Sequence, residues 1–154
     1  MPTLLRIFLL FLGSGALPLQ SQVVPVQANV DAQAQRRIQA DAQESLRRRR
    51  VEENIRRLLP ALDPANLTGP KGPAKTVQAM AAFADLLNEG ITPKESVQQA
   101  LKKSVLEPSA TEKTSVYLLK CWSSLSDRLT PEDLQAMRKG EEPTPPLNLP
   151  PYQP

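Results

Sequence analysis

The stretch Thr76–Leu101, TVQAMAAFADLLNEGITPKESVQQAL, decides the fold class. Val77, Met80, Ala84 and Leu87 recur at helical spacing with Phe83 beside them, which predicts a helix over residues 76–88. Gly90 supplies a left-handed stop just past its end. The segment Ile91-Thr92-Pro93-Lys94-Glu95 then starts a second helix. Thr92 reads as its N-cap, Pro93 suits the first helical position, and Glu95 completes a capping box. Val97, Ala100 and Leu101 are its apolar positions.

Further toward the C-terminus the same grammar continues. Ser109 and Glu112 read as another capping box. Leu118, Cys121, Trp122, Leu125 and Leu129 follow at i, i+3, i+4, i+7 and i+11, the strongest apolar stripe in the chain. Leu129-Thr130-Pro131-Glu132-Asp133 repeats the Thr-Pro start 38 residues after Thr92. A short helix with Leu134 and Met137 stops at Gly140. Two copies are too few for a solenoid. The reading is two packed helical hairpins, the shared Thr-Pro reflecting either a common way to begin helices or an internal duplication. Residues 141–154, EEPTPPLNLPPYQP, are expected to form a disordered Pro-rich tail. It carries Pro143-x-x-Pro146 and Pro151-x-x-Pro154, the spacing that proline-groove domains recognise.

Toward the N-terminus, residues 60–75 hold four prolines and two glycines and read as a Pro/Gly loop. Within it GPKGPAKT, Gly69–Thr76, approaches the phosphate-binding pattern G-x-x-x-x-G-K-[ST], with Ala74 in place of the second glycine. Pro70 and Pro73 have no N–H to turn on a phosphate, and no strand precedes the loop. The reading is a stiff connection into a helix, with no nucleotide. Asn66-Leu67-Thr68 is a glycosylation acceptor, relevant only in a eukaryotic secretory pathway.

Residues 29–59 read as one charged, Arg-rich helix capped by Asn29 or Asp31 and ended by Pro60. Glu44–Arg48, Glu52–Arg56 and Glu53–Arg57 are acid-before-base pairs four apart, the supportive orientation. The apolar stripe is thin through Ile38, Ala42 and Leu46. It strengthens as Val51, Ile55, Leu58 and Leu59, which predicts that the last turns dock. The arginines Arg36, Arg37, Arg47, Arg48, Arg49, Arg50, Arg56 and Arg57 admit three readings. They are a solvated collar, a patch for an anionic surface (lipid headgroups, a polyanion or nucleic acid) over residues 36–57, or paired basic sites where a eukaryotic secreted precursor is cut.

The first residues set the compartment. Arg6 precedes an apolar run, Ile7–Leu12, then small and polar residues, the order of a secretory signal peptide over residues 1–28. Cleavage after Ala28 is preferred because it leaves a polar start; Ala16 is the alternative. The apolar run falls short of the roughly 20 residues a spanning helix needs, so the mature chain is expected to have no integral membrane span. The competing readings are an uncleaved anchor and a cytosolic terminus.

Composition narrows the chemistry. Removing residues 1–28 leaves 126 residues, room for one small domain, and the net charge of +3 is too balanced to name a partner. The chain has no histidine, so serine triads and histidine-bearing zinc sites are excluded. Cys121 is the only cysteine, which excludes an intramolecular disulfide and leaves a buried thiol or a bridge between two chains. Aromatic residues make up 4%, a poor supply for stacking on bases. Carboxylate-only catalysis survives without a recognisable site.

The fold class is therefore all-α: a small bundle of about four short helices over residues 76–140, a longer Arg-rich helix before it and a Pro-rich tail after it. The expected function is that of an exported (secreted, periplasmic or lumenal), non-enzymatic interaction or accessory protein. It has an unidentified protein partner and no cofactor. Binding to an anionic surface and processing as a precursor are the alternatives.

Overall fold

The computed structural model describes residues 17–154, with side chains from residue 27 onward. It is all-helical, with no strand among the described residues. The order is α1 (Leu17–Leu62), α2 (Pro64–Thr68), α3 (Gly72–Asn88), α4 (Pro93–Lys103), α5 (Pro108–Leu125), a 3₁₀ turn (Ser126–Arg128) and α6 (Pro131–Arg138). The helices α2 to α6 each carry proline at the first or second position. There the missing N–H costs nothing and the fixed φ already suits the helix. A proline-rich chain can thus be all-helical: its prolines begin helices.

The chain divides into two units, Met1–Leu46 and Arg47–Pro154. In the first, residues 27–46 are exposed apart from Ala32, which is half-buried. The second contains the core. Ile55, Leu58, Ala61 and Leu62 from the end of α1 join Val77, Met80, Phe83, Leu86, Leu118, Cys121, Leu125 and Met137 in one cluster. Val51 and Leu59 pack beside it. The predicted docking of the last turns of α1 is therefore what the structure shows.

Helix α3 is the hub. It packs on α2, α4, α5 and most extensively on α6. The predicted one-sided stripe is corrected here. Ala79, Met80, Ala81, Ala82, Phe83 and Leu86 are all buried, while Leu87 is 48% exposed. A helix apolar on most sides belongs inside, and its alanines let neighbours approach from several directions. The hairpin arrangement changes with it, because α6 packs on α3 in preference to α5.

Several boundaries move. Asn29 and Asp31 cap nothing, because α1 begins at Leu17. Pro60 does not end α1, which continues to Leu62. Burial of Ala61 and Leu62 rewards the extra residues, and a proline in a final turn disturbs only that turn. Carbonyls left open by the end of the helix find partners: Asn66 Nδ2 donates to the Pro60 oxygen at 2.8 Å, and Thr114 Oγ1 to the Leu62 oxygen at 2.8 Å. The expected 60–75 loop is mostly helical, holding α2 and the first turn of α3. The N-cap of α5 is Glu107, without a side-chain cap bond, so Ser109 and Glu112 form no capping box. Pro108 already fixes the start two residues earlier than the Ser-x-x-Glu pattern suggests. By contrast, both Thr-Pro starts are capping boxes, Thr92 with Glu95 and Thr130 with Asp133. Gly90 takes φ +82°, the left-handed stop read from the sequence.

The tail, residues 141–154, has neither helix nor strand. It has a place on the bundle nonetheless. Pro143 is buried, and Leu147, Leu149 and Tyr152 are partly buried against the core. The expectation of a disordered terminus is corrected to a docked one: proline forbids regular structure, but leucine and tyrosine still gain by covering apolar surface.

Candidate functional site

The eight arginines singled out in the sequence all lie on α1, and the structure gives them unequal roles. Arg47 Nη2 donates to the Glu89 carbonyl oxygen at 2.8 Å. Arg50 Nε donates to Glu89 Oε1 at 2.6 Å, and Arg47 Nε lies 3.6 Å from Glu89 Oε2. Glu89 is the C-cap of α3. The two guanidiniums thus sit at the negative end of a helix dipole and hold a carboxylate there. The Arg50 hydrogen bond keeps the Glu89 carboxyl below its ordinary range, with the charges of Arg50 and Arg47 adding to it. These two arginines tie α1 to α3.

Arg56 and Arg57 face acids on their own helix. Arg56 approaches Glu52 at 3.8 Å and Glu53 at 3.9 Å, and Arg57 approaches Glu53 at 3.6 Å. The predicted pairs Glu52–Arg56 and Glu53–Arg57 are therefore formed. Arg36, Arg37, Arg48 and Arg49 are exposed on the same helix. The predicted patch over 36–57 is thus not one uniform surface, since Arg47, Arg50, Arg56 and Arg57 have carboxylate partners within 4 Å. All the paired basic sites lie inside α1, where a protease would have to unwind helix to reach them.

The other predicted positions are also placed. Ala28 is exposed within α1; Ala16 and the run Ile7–Leu12 lie outside the described residues. Asn66 is in helix α2, half-buried, its amide nitrogen donating to Pro60. That corrects its assignment to a loop. Thr76, the last residue of GPKGPAKT, is buried and its hydroxyl donates to the Gly72 oxygen at 2.9 Å. Gly72 is needed for space: a Cβ there would come within 2.1 Å of the Leu67 carbonyl oxygen. Gly72 thus admits the close approach of Leu67 in α2 to the start of α3.

Cys121 is fully buried, and burial pushes its thiol up. In this fold it is a protonated core residue, out of reach of a second chain. Trp122 packs edge-on against Phe83, with ring centroids 5.8 Å apart. Among the described residues no group of histidine, cysteine, aspartate and glutamate is placed to hold a metal ion, and no helix is long and apolar enough to cross a membrane.

One feature was invisible in the sequence. The chain's two tyrosines meet: Tyr117 on α5 and Tyr152 in the tail are edge-to-face with centroids 5.2 Å apart. Tyr117 Oη donates to the Pro150 carbonyl oxygen at 2.7 Å. Burial raises the Tyr117 phenol to about 12, so it stays a donor. A cleft of about 840 Å³ lies beside this contact, lined by Leu67, Pro70, Pro73, Val77, Tyr117 and Tyr152 among others. No periodicity announces it, because its two walls are separated by more than thirty residues of chain.

Set against known proteins, the chain matches no family model, no curated protein and no solved structure.

Proposed function

We propose that this chain is exported and acts as a non-enzymatic interaction protein, with the N-terminal portion of α1 as its contact element. The observation that carries the reading is the exposed apolar series on that portion. Val30, Ile38 and Leu46 are 60%, 68% and 53% exposed. With Ala34 and Ala42 between them, every fourth residue from 30 to 46 is apolar. Such positions follow one slowly winding stripe on a helix. An isolated helix is marginal in water, and most helical stability in proteins comes from packing such a stripe. A partner helix or apolar groove is the chemistry that fits it. The signal-like first residues supply the export half of the proposal.

Two measurements test it. A photoreactive side chain at Ile38, in the native host, should give a discrete adduct, while the same group at fully exposed Val105 should not. Equal labelling or none at both positions rejects the contact element. The intact mass and location of the native product test export: full-length chain with Met1 retained in the cytosol overturns that part.

The anionic-surface reading is favoured by a narrower observation, the exposed arginines Arg36, Arg37 and Arg49. If it holds, changing these three to glutamine abolishes retention on anionic vesicles at low salt. Unchanged retention disposes of it.

A further inference from the structure

We infer that the cleft beside Tyr117 binds a small organic cation, a molecule with an apolar body and one positively charged nitrogen that the Glu142 carboxylate receives. The cleft holds about 840 Å³, within the range of clefts that take small ligands, roughly 300–1,000 Å³. Leu67 and Thr68 of α2, the connection at Pro70 and the first turns of α3 line it, and the tail residues Asn148 to Tyr152 form a further wall. Leu67, Val77 and Leu149 give it apolar surface. An apolar cleft with a few polar groups is the usual form of a small-molecule site. Every lining residue lies outside the α1 stripe, so the site stands apart from the contact element proposed above.

The polar groups decide the charge of the ligand. Glu142 is the one charged residue that lines the cleft, and no lysine or arginine does. The hydroxyl protons on the helical walls are already spent. Tyr117 donates to the Pro150 oxygen at 2.7 Å, Thr76 to the Gly72 oxygen at 2.9 Å and Thr68 to the Pro64 oxygen at 3.0 Å. Pro70, Pro73, Pro150 and Pro151 bring carbonyls and no N–H. The start of α3 offers little to an anion. The Gly72 N–H is bonded to the Gly69 oxygen, Pro73 has none, and the Lys75 N–H is bonded to the Lys71 oxygen. The side-chain donors left in the lining are the Asn148 amide and the Tyr152 hydroxyl, neither of them a cation. A lining with one carboxylate, spare acceptors and few donors fits a ligand that brings donors and positive charge. The rings of Tyr117 and Tyr152 line the same cleft, and aromatic faces attract cations.

The test uses the full chain and three probes that share one apolar body: phenylbutylamine, phenylbutanol and phenylbutyrate. Each is titrated at neutral pH while backbone amide shifts are followed by NMR. The amine should give saturable shifts concentrated on residues 67–77, 117 and 140–152. It should bind about threefold more tightly than the alcohol, the scale of one exposed ion pair, and more tightly still relative to the carboxylate. Added salt should erode that margin. Glu142→Gln should bring the amine down to the affinity of the alcohol and leave the alcohol unchanged. Glu142 is exposed, so this substitution leaves the core untouched. Equal affinity of amine and alcohol, tighter binding of the carboxylate, or no saturable shift at the cleft overturns the proposal. An amine preference that survives Glu142→Gln overturns it as well. Filling the cleft with Ala74→Leu should abolish the shifts from all three probes, and if that variant loses its helical signal the three probes on the unaltered chain decide.

Discussion

At Gly72 a single missing Cβ shapes the molecule. The Leu67 carbonyl carbon would lie 2.9 Å from an added Cβ, and its oxygen closer still, both backbone atoms that cannot swing aside. Gly72→Ala should therefore cost about 1–3 kcal/mol, the range for forced overpacking. The check is a denaturant midpoint compared with that of an alanine substitution at Gly69, where the nearest backbone oxygen is 3.4 Å away. Two carboxylates govern acid stability. Glu89 is held below its ordinary value of 4.5 by the Arg50 hydrogen bond, and Glu95 by the Thr92 backbone N–H and hydroxyl. Groups whose folded value is depressed stabilise above the unfolded value and lose that contribution as pH falls through the folded one. The thermal midpoint should thus hold above pH 4.5 and drop on acidification below it. Glu89→Gln/Glu95→Gln should flatten that drop while lowering the neutral-pH midpoint. Tyr117 works in the opposite sense. Its raised value, from 10.0 to about 12, means that its contribution is full below pH 10 and is lost as pH rises through 12.

Helix ends and helix lengths carry the next set of outcomes. Thr114 Oγ1 bridges two elements, donating to the Leu62 oxygen at 2.8 Å and to the Thr111 oxygen at 3.0 Å. Thr114→Val keeps the shape and strands a buried carbonyl of α1, at a cost of about 1–3 kcal/mol. Thermal unfolding of the variant measures it. The Thr-Pro starts were legible because a capping box is local: Thr92 and Glu95 need only each other's backbone. The end of α1 was not. Pro60 signals termination by local rules, and only Asn66, Thr114 and the burial of Ala61 and Leu62 explain two further residues of helix. The α3 pattern was half legible. Its alanines carry little weight in a periodicity reading, and its burial on most sides depends on neighbours distant in sequence.

Across the whole chain the two units should differ in protection from hydrogen exchange. Residues 76–88 lie in the hub helix, and residues 27–46 have almost no cover. Amides over 27–46 should exchange at least about a hundredfold faster than those over 76–88, since local opening spans from near zero to the global unfolding free energy. Comparable protection in the two segments would mean that the exposed stripe is already covered in solution. Proteolysis at low enzyme concentration should accordingly cut within residues 27–46 before it cuts the bundle.

The sequence by itself determined the helical class, the two Thr-Pro starts, the left-handed stop at Gly90 and the docking turns Val51 to Leu59. Each is written in residues within a turn or two of one another, so short-range sterics and hydrogen bonding suffice to specify it. Tertiary structure alone decided that α6 packs on α3, that Arg47 and Arg50 hold Glu89, that Gly72 admits α2, and that the proline tail lies across Tyr117. Those outcomes pair residues tens of positions apart, where apolar burial and helix-end electrostatics choose among many partners that the local pattern leaves equal.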